Sequence, residues 1–441
     1  MADLPIPSDP VKLAVVGSGG RSTRIYGAVI KALAPWIEVV AVCDPVREHA
    51  DAYAEKFDVT PFYDIHELVR AKPMEAALVV TPVPSHHALS VYLSSNGIHN
   101  MPETSMCSLL AQGREMIDVA AENGVVMRIA ENFFRFPIDR IVQQMTNSDL
   151  LGPMRRVVSY NDHTGYHNNS RWLGLCGDHP VAVQSIEHDM NTVDFTSLPH
   201  RPHSSENYHS RHLWFPDGTM VMDHASNAKG FLGRHPRPGY TEWHHERGAV
   251  VHRALQREEG WVAQSEVRYV SDDGLQSATG NPDDHRHAGG LADQTFELIT
   301  DYDGLHWVRT YVDLPTGRVE YANPYPAVDT VFGVQDINPF PNASSTETVA
   351  DWYLAAVMGH VVDFALAVRG LAESEFSPED ALMALAIEVA SRESVLNDGA
   401  RIRMPLGDTE AERQRTASEK EIIGVDPMDV EAVLSLSFPK P

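Results

Sequence analysis

The sequence predicts an N-terminal α/β domain with a doubly wound parallel sheet, followed by an α+β domain. Three observations predict this organisation. The length of 441 residues corresponds to two or three domains at roughly 100–200 residues each. Up to about residue 132, apolar strands alternate with helical segments, which is the pattern of a parallel sheet. Later strands are separated by turns and polar loops, so we place the domains at 1–132 and 133–441, with C-terminal helices over 346–399.

Composition and charge exclude several classes of protein. Apolar residues make up 43% and charged residues 22%, as in ordinary globular proteins, and no apolar stretch reaches the roughly 18 residues that a membrane helix needs. The net charge of -26 would repel phosphate backbones, so we expect neither a nucleic acid nor a membrane as partner. Three scattered cysteines and the lack of a secretory signal at the N-terminus lead us to expect a reduced, cytoplasmic protein.

The N-terminal segment contains the pattern of a dinucleotide-binding unit. A first strand, KLAVV, runs into the turn GSGGRS, and a helical segment and a second strand, IEVVAVC, follow before Asp44. Gly17 permits the tight turn, and Gly19 lets the backbone approach a pyrophosphate at the start of the helix. Asp44 is placed to accept hydrogen bonds from the adenosine ribose hydroxyls, and its charge would repel a 2′-phosphate. The predicted cofactor is therefore NAD, bound by a Rossmann domain.

Further cofactor contacts are expected in the same turn and at the ends of later strands. Ser22 takes the position of the third glycine of this motif, and Arg21 before it can contact a phosphate. Two more strands of the parallel sheet are expected over 76–81 and 125–130. The remaining cofactor-binding candidates are Gly20, Thr81, Pro82, His86, Glu103, Thr104 and Asn132.

The second domain shows short strands separated by turn residues. Pro216-Asp217-Gly218 is a turn signal between two of these strands and predicts a hairpin. Polar segments rich in glycine and proline indicate loops over 274–290 and 315–345. Strands are expected over 154–160, 213–215, 219–224, 249–252 and 261–270.

The order of these landmarks resembles the glucose–fructose oxidoreductase / inositol dehydrogenase / rhizopine-catabolism family (Gfo/Idh/MocA). The resemblance extends over nearly the whole chain and rests on the stretches VVGSGGRS, VVAVCDPVREHADAYAEKF, LVVTPVPSHHALSVYLSSNGIH and ENFFRFPIDRIVQQM. It implies a C-terminal open, mostly antiparallel sheet with helices on one face. It also implies that this sheet pairs with the cofactor cleft and often with another subunit, so a homo-oligomer, a dimer or tetramer, is expected.

The catalytic signature of that family is altered in this chain. The family carries Glu-Lys-Pro where this sequence has Glu103-Thr104-Ser105, so Thr104 replaces the lysine expected beside the nicotinamide and the substrate hydroxyl. The family also carries an aspartate and a histidine four residues apart on a helix. The corresponding segment here, 181–195, is expected to be helical and has Gln184 and His188 at those positions. The resemblance implies that His188 is the general base.

A polar, histidine-rich region accompanies His188. Of the 22 histidines, 13 fall between His163 and His252, and the segment 162–172 is expected to be a loop. Tyrosine, tryptophan, arginine and asparagine between the histidines suit a sugar or polyol substrate. Further catalytic candidates are His163, Tyr166 and His167, and substrate-binding candidates are Asn168, Arg171, Trp172, Gln184 and His224. Candidate ligands for a divalent metal are His163, His167, His188 and His224.

Three functions are compatible with these residues. The first is an NAD-dependent oxidoreductase of a sugar, polyol or carbohydrate derivative, with His188 as base. The second is a lyase or glycoside-cleaving enzyme on the same scaffold, using transient NAD redox chemistry or a histidine-bound metal to acidify a C–H bond. The third is a non-catalytic binding protein. Loss of the lysine and aspartate favours the second or third function, whereas Gly17, Gly19 and Asp44 favour the first or second.

Overall fold

The computed structural model describes residues 4–148, 150–161, 165–197, 201–226, 240–257, 260–274, 292–304, 306–328, 346–436 and 438. Within these residues, no helix combines the length and the apolar character needed to cross a bilayer.

The N-terminal domain is built on a parallel sheet of five strands. Their order in the sheet is β3-β2-β1-β4-β5, which places the carboxyl ends of β1 and β4 side by side. The strands form because short apolar runs are buried on both faces by flanking helices. This confirms the doubly wound sheet expected from the sequence. The strands are β1 (Val11–Val16), β2 (Ile37–Cys43), β3 (Thr60–Phe62), β4 (Ala76–Val79) and β5 (His99–Pro102).

The helix that follows the glycine turn is irregular. A π-helical turn, Ser22–Tyr26, runs directly into a three-residue helix, α1 (Gly27–Val29). The other helices of this domain are regular, and Asp64 caps the N-terminus of one of them by accepting hydrogen bonds from the backbone N–H groups of His66 and Glu67. They are α2 (Arg47–Phe57), α3 (Ile65–Ala71), α4 (His86–Ser95) and α5 (Leu110–Glu122), with a short 3-10 helix at Val83–Ser85.

The strand expected over 125–130 is not formed as a continuous strand. This segment runs beside β5 but is joined to it by a single bridge, between Asn100 and Met127. The Ala130 N–H then donates to the Pro102 carbonyl at 2.9 Å. Because of that bond, the residues after 130 lie next to the residues that follow β5.

The second domain contains a nine-stranded, mostly antiparallel sheet. Its order is β13-β12-β11-β10-β6-β9-β8-β7-β17, with β6 and β9 as a parallel pair. A separate sheet has the order β14-β15-β16. The strands are β6 (Met154–Asn161), β7 (Ala182–Ser197), β8 (Arg201–Trp214), β9 (Met220–Ser226), β10 (Tyr240–His245), β11 (Gly248–Arg257), β12 (Gly260–Tyr269), β13 (Gln294–Glu297), β14 (Ile299–Asp303), β15 (His306–Leu314), β16 (Gly317–Ala322) and β17 (Ile402–Arg403).

Helices pack on one face of the nine-stranded sheet. On the other face, which we call the open face, several side chains of β7 are exposed in the described part of the chain. One row of side chains across the strands is fully buried, namely Val183, Leu213, Val221, Val157, Trp243 and Val250. The next residues along β7 belong to the other face, where Ile186 is 55% exposed. This confirms the expected open sheet. The helices are α6 (Pro137–Ser148), α7 (Gly165–Cys176), α8 (Thr346–Val368), α9 (Pro378–Leu396), α10 (Glu410–Ile423) and α11 (Val430–Leu434), with a 3-10 helix at Phe133–Arg135.

Three predictions of local structure in this domain are wrong. The loop expected over 315–345 contains β16, which forms because residues 317–322 pair antiparallel with β15. The segment 162–172 is not a loop, because α7 begins at Gly165; burial of its side chains outweighs the low helix propensity of glycine and asparagine. The segment 181–195 is not a helix but lies within β7, which forms a long antiparallel hairpin with β8. Its residues alternate between the two faces of a sheet, with a period of two, whereas the prediction of a helix assumed a period of 3.6.

Candidate active site

The glycine turn lies at the carboxyl end of β1. Gly17 has φ +92°, and a Cβ atom there would be 2.5 Å from the Val80 carbonyl oxygen, so only glycine fits. Ser22, at the third-glycine position, is fully buried, and its hydroxyl donates to the Gly19 carbonyl at 2.9 Å. The turn is therefore closed by a side-chain hydrogen bond where the motif usually has a glycine.

Asp44 is fixed against this turn at the end of β2. Its Oδ2 accepts hydrogen bonds from the Ser18 backbone N–H at 2.8 Å and the Ser18 hydroxyl at 2.9 Å, and its Oδ1 accepts from the Val46 N–H at 2.9 Å. A carboxylate offers roughly four acceptor positions, so Asp44 retains capacity for a ribose hydroxyl. The close backbone turn and this buried carboxylate fit the adenosine half of NAD, and the negative charge opposes a 2′-phosphate.

A buried polar cluster joins the glycine turn to the second domain. We call it the Arg21 cluster: Arg21, Tyr26, Glu103, Tyr353 and His360. The Arg21 Nε pairs with Glu103 Oε1, and its Nη1 donates to the Tyr353 hydroxyl at 3.0 Å. The Tyr26 hydroxyl donates to Glu103 Oε1 at 2.6 Å and lies 3.1 Å from His360 Nε2. Burial acts to raise the pKa of Glu103, but the charges of Arg21 and His360 and the hydrogen bonds from Tyr26 and Arg21 together outweigh it and lower that pKa to about 2.

Thr104 replaces a charged residue with a neutral one beside this cluster. Its backbone N–H donates to Glu103 Oε2 at 2.9 Å, and its hydroxyl lies 3.3 Å from the same oxygen. Nearby, the two ring nitrogens of His86 lie 2.9 Å from the Ser105 carbonyl and 2.8 Å from the Thr81 carbonyl. Burial lowers the pKa of His86, whereas the contacts with the two carbonyls act in the opposite direction, and the ring holds the two backbone segments together. The carbonyl of Pro82 accepts a hydrogen bond from Ser85 in the same turn.

A second polar group, Glu131 with His167, is brought to the same edge of the parallel sheet. Glu131 Oε1 lies 3.0 Å from His167 Nδ1 and accepts hydrogen bonds from the backbone N–H groups of Asn132 and Phe133. The His167 ring stacks on Phe133, with 4.2 Å between ring centroids and 8° between planes. Neighbouring Tyr166 packs its ring against His167 at 4.2 Å. These contacts fix the position and tilt of the imidazole.

Asn132 lies next to this pair and is 1% exposed. Its Nδ2 has no hydrogen-bond partner among the residues that the structure describes. A buried amide donor without a partner costs free energy and is a candidate ligand-binding group. With Nδ1 directed at Glu131, the other ring nitrogen of His167, Nε2, is the atom that can exchange a proton with a substrate. The arrangement can therefore perform general base catalysis.

His188 lies elsewhere. It is an exposed residue on β7, where it is the cross-strand partner of Tyr208. His224 is on the same open face, with its Nδ1 3.1 Å from the Tyr208 hydroxyl. Helix α7, which carries His167, packs on the opposite face of the sheet. The expectation that a helix directs His188 towards the cofactor is thus wrong, and its role as base stays a prediction. Gln184, on the same strand, donates to the Gly399 carbonyl at 2.7 Å.

The candidate substrate-binding residues of α7 are buried within the second domain. Arg171 pairs with Asp139, and both side chains are fully buried. Asp223 accepts hydrogen bonds from the Trp172 indole and the Asn168 amide, each at 3.3 Å. These contacts stabilise the packing of α7 on the sheet. A role for the three α7 residues in substrate binding stays a prediction.

The predicted metal ligands are not brought together. Within the described ranges, no group of three or more His, Cys, Asp or Glu side chains is arranged to hold a metal ion. His167 and the pair His188 and His224 lie on opposite faces of the nine-stranded sheet. His163 lies outside the described residues.

Sequence reasoning did not identify Tyr26, Glu131, Tyr353 or His360 as site residues. Tyr353 and His360 lie about 250 positions after Glu103, so no local motif links them. One signal was present: they are seven apart on α8, a spacing that places both on one helix face. Polar residues on one face of an otherwise apolar helix indicate a buried polar contact.

Parts of this chain match known proteins. Residues 11–131 match the model of the Gfo/Idh/MocA oxidoreductase family, NAD-binding Rossmann fold. D-glucoside 3-dehydrogenase of Escherichia coli (strain K12) is 30% identical over 175 residues, which cover 38% of this chain and 45% of that protein. D-apiose dehydrogenase of Paraburkholderia graminis is 25% identical over 116 residues, covering 26% and 31% of the two chains. The matched segments therefore span less than half the length of either relative.

The fold of the whole chain has relatives among solved structures. A levoglucosan dehydrogenase, solved in complex with NADH and levoglucosan, superposes with a TM-score of 0.61 at 15% sequence identity. The superposition covers 90% of this chain and 100% of that one. At this identity the similarity establishes the fold alone.

Proposed function

We propose that this protein is an NAD-dependent dehydrogenase of a sugar, polyol or carbohydrate derivative, because residues 11–131 match the NAD-binding Rossmann model of the Gfo/Idh/MocA oxidoreductase family. The observation that carries the proposal is that the glycine turn and the Glu131–His167 pair both lie at the carboxyl edge of the parallel sheet. The turn of Gly17 with Asp44 fits a dinucleotide, and the Glu131–His167 pair fits proton removal from a hydroxyl. The names of the two partial relatives, both sugar dehydrogenases, support a carbohydrate substrate.

The cofactor would be held by the residues at the ends of β1 and β2. Gly17 allows the backbone to approach a pyrophosphate, and Asp44 accepts hydrogen bonds from the ribose. When bound, NAD supplies an acceptor for a hydride. The chain itself must bind the substrate, orient it and remove the hydroxyl proton.

We propose His167 as the group that takes this proton, at Nε2. The Glu131 carboxylate next to Nδ1 fixes the tautomer and stabilises the imidazolium that forms. The Nδ2 of Asn132, for which the described residues offer no hydrogen-bond partner, is available to hold the substrate oxygen. Thr104 is uncharged, so it can position a hydroxyl but cannot take up a proton near neutral pH.

His188 remains the competing candidate base. Its side chain is exposed on the open face, so it would reach a substrate only if another molecule or subunit brings the substrate to that face. His167 is favoured because a carboxylate and a stacked ring orient it at the same edge as the cofactor turn. His163 and Tyr166 remain candidates for secondary roles.

The neutral residue at position 104 favours one alternative, a lyase or glycoside-cleaving reaction with transient NAD redox chemistry. Such an enzyme releases no NADH, because the hydride returns to the sugar in each cycle. Incubation in deuterated water separates the two reactions, since elimination or hydrolysis after transient oxidation would incorporate deuterium at the carbon next to the oxidised one. A binding protein would take up a sugar without either change.

We also propose that the chain forms a homo-oligomer through the open face of its nine-stranded sheet. Exposed apolar side chains lie along β7, namely Ile186, Met190 and Val193, and a second copy would bury them. Light scattering of the purified protein tests this, and the variant Ile186→Glu should shift the mass towards the monomer. The cytoplasmic location expected from the sequence stays a prediction.

The function is tested by binding and turnover on the same preparation. Native mass spectrometry should detect NAD that co-purifies, and calorimetry should give tighter binding of NAD than of NADP. A panel of aldoses, glycosides and polyols is then screened for NADH formation. Binding of NAD without NADH formation on any carbohydrate would direct attention to the lyase alternative, and failure to bind NAD would contradict the proposal.

A further inference from the structure

The helix that follows the glycine turn is irregular in this chain. In a dinucleotide-binding unit, the anion binds at the N-terminus of a helix, where N–H groups and the helix dipole attract it. Here helical structure runs from residue 20 to residue 29 and contains the π-helical turn Ser22–Tyr26, and the Thr23 N–H is already bonded to the Gly19 carbonyl at 3.0 Å. A pyrophosphate is anionic, so a positively charged side chain at this turn would add to the attraction of the helix N-terminus.

Arg21 lies where that charge is needed. Its guanidinium extends from the glycine turn to Glu103, just beyond the carboxyl end of β5, and open parallel sheets bind their ligands at this edge. The side chain is 36% exposed. Glu103 and the Tyr353 hydroxyl each occupy one of its five N–H donors, so three remain for an anion. Arg24 adds a second cation, since a Cβ at Gly20 would be 3.0 Å from its Nη2.

Two side chains fix the Arg21 guanidinium from opposite sides. Glu103 is 4% exposed and is itself held by the Tyr26 hydroxyl at 2.6 Å. Tyr353 comes from α8, a helix of the second domain, and receives a hydrogen bond from Nη1 at 3.0 Å. His360, about two turns further along the same face of α8, contacts the Tyr26 hydroxyl. An arginine with two fixed partners loses little side-chain entropy when it binds an anion.

We infer that Arg21 adds to the helix N-terminus as a pyrophosphate anchor, with Glu103 and Tyr353 as positioning residues. Helix α8 is thereby part of the cofactor site, and NAD affinity depends on a helix far from the Rossmann motif in sequence. This inference rests on the proposed NAD-dependent function and adds a residue-level account of how the chain holds the cofactor. Glu103 acts through Arg21 and is not itself a proton donor, because its pKa lies far below neutrality.

The test compares three probes on four purified proteins by calorimetry, without any substrate. The probes are NAD, ADP-ribose and adenosine, of which only the first two contain a pyrophosphate. The proteins are the wild type, Arg21→Gln, Tyr353→Phe and the control Lys31→Gln, which removes an exposed positive charge from the same domain. Arg21→Gln should raise the Kd of NAD and of ADP-ribose by about 10-fold to 100-fold, as expected for a charge-assisted hydrogen bond, and leave adenosine unchanged.

Tyr353→Phe removes one hydroxyl and keeps the ring, so it tests the positioning role in a protein that should fold normally. We expect a rise of roughly threefold to tenfold in the Kd of NAD and ADP-ribose, and no change with Lys31→Gln. Equal losses for all three probes would mean that the substitutions only perturb the fold, and would overturn the inference. A wild type that binds NAD with a Kd unaffected by Arg21→Gln would overturn it while leaving the proposed function intact. A wild type that binds no NAD would contradict both.

Discussion

His167 Nδ1 lies 3.0 Å from Glu131 Oε1, and the two side chains come from different domains of the predicted architecture. Glu131 follows the segment that is bonded to the end of β5, and His167 is in the first turn of α7. The pair therefore bridges the N-terminal and the C-terminal domain. This relationship makes His167 the more testable of the candidate bases.

Replacing His167 with asparagine should reduce turnover by a factor on the order of 10²–10⁴, because the proton acceptor is lost while the size of the side chain is nearly kept. The matched control is His188→Asn, which removes an exposed imidazole on the open face of the sheet. Both variants are assayed for NADH formation on the substrate found in the carbohydrate screen. A large loss with His188→Asn and none with His167→Asn would restore the assignment that the family resemblance implied.

The parallel sheet could be predicted from the sequence because each strand is a local apolar run that ends at a recognisable turn. The contrast with β7 is instructive. The sequence of β7 has a histidine four residues after Gln184, a spacing typical of a helix face. In the structure, however, Val183 and Ser185 face the helices while Ile186 faces solvent. Over so short a segment, periods of 2 and 3.6 residues are hard to separate. The pairing partner, β8, decides the outcome, and that contact is not local.

The Glu131–His167 pair and the Arg21 cluster depend on contacts that are distant in sequence. His167 was among the candidates, but Glu131 is 36 residues away and gains its position from the bond between Ala130 and Pro102. Tyr353 reaches Arg21 across 332 residues. Side-chain chemistry can nominate a histidine, but the fold decides which carboxylate orients it.

Asp44→Asn should weaken NAD binding and reduce the preference for NAD over NADP. The substitution keeps the side-chain volume but removes the charge that opposes a 2′-phosphate, and it turns one of the three accepted hydrogen bonds into a donor-donor conflict. Calorimetry with both cofactors measures the change, and Asp51→Asn, at an exposed position, is the control. A native preference for NADP would contradict the assignment.

Thr104→Lys, which reinstates the family lysine, should not produce a large gain in dehydrogenase turnover. The new ammonium would lie beside Glu103, whose other oxygen is already paired with Arg21. It would compete for that carboxylate and loosen the Arg21 guanidinium, so the Kd of NAD should rise. Steady-state kinetics with separate measurement of NAD binding checks both effects. A gain of tenfold or more in kcat with unchanged NAD affinity would show that the site was ready for the lysine.

Stability should fall as the pH is lowered from about 6.5 towards 4, and His360 should account for part of the loss. Burial lowers the pKa of His360 to about 3 and that of His245 to about 4, from an ordinary value of 6.5. His360 Nε2 contacts the Tyr26 hydroxyl, and Nδ1 has no partner among the described residues. A proton on Nδ1 would therefore be buried without an acceptor. Below pH 6.5 the unfolded chain consequently binds more protons than the folded chain.

Each such histidine makes the free energy of unfolding fall by about 1.4 kcal/mol per pH unit within that window. The buried carboxylate of Glu103 acts in a separate range: its depressed pKa, about 2, gives stability that is lost only below about pH 4.5. His360→Gln keeps a polar group for Tyr26 but cannot titrate, so urea unfolding at several pH values should show a slope smaller by about one proton. Equal slopes for the wild type and His360→Gln would contradict the burial of a neutral histidine at this position.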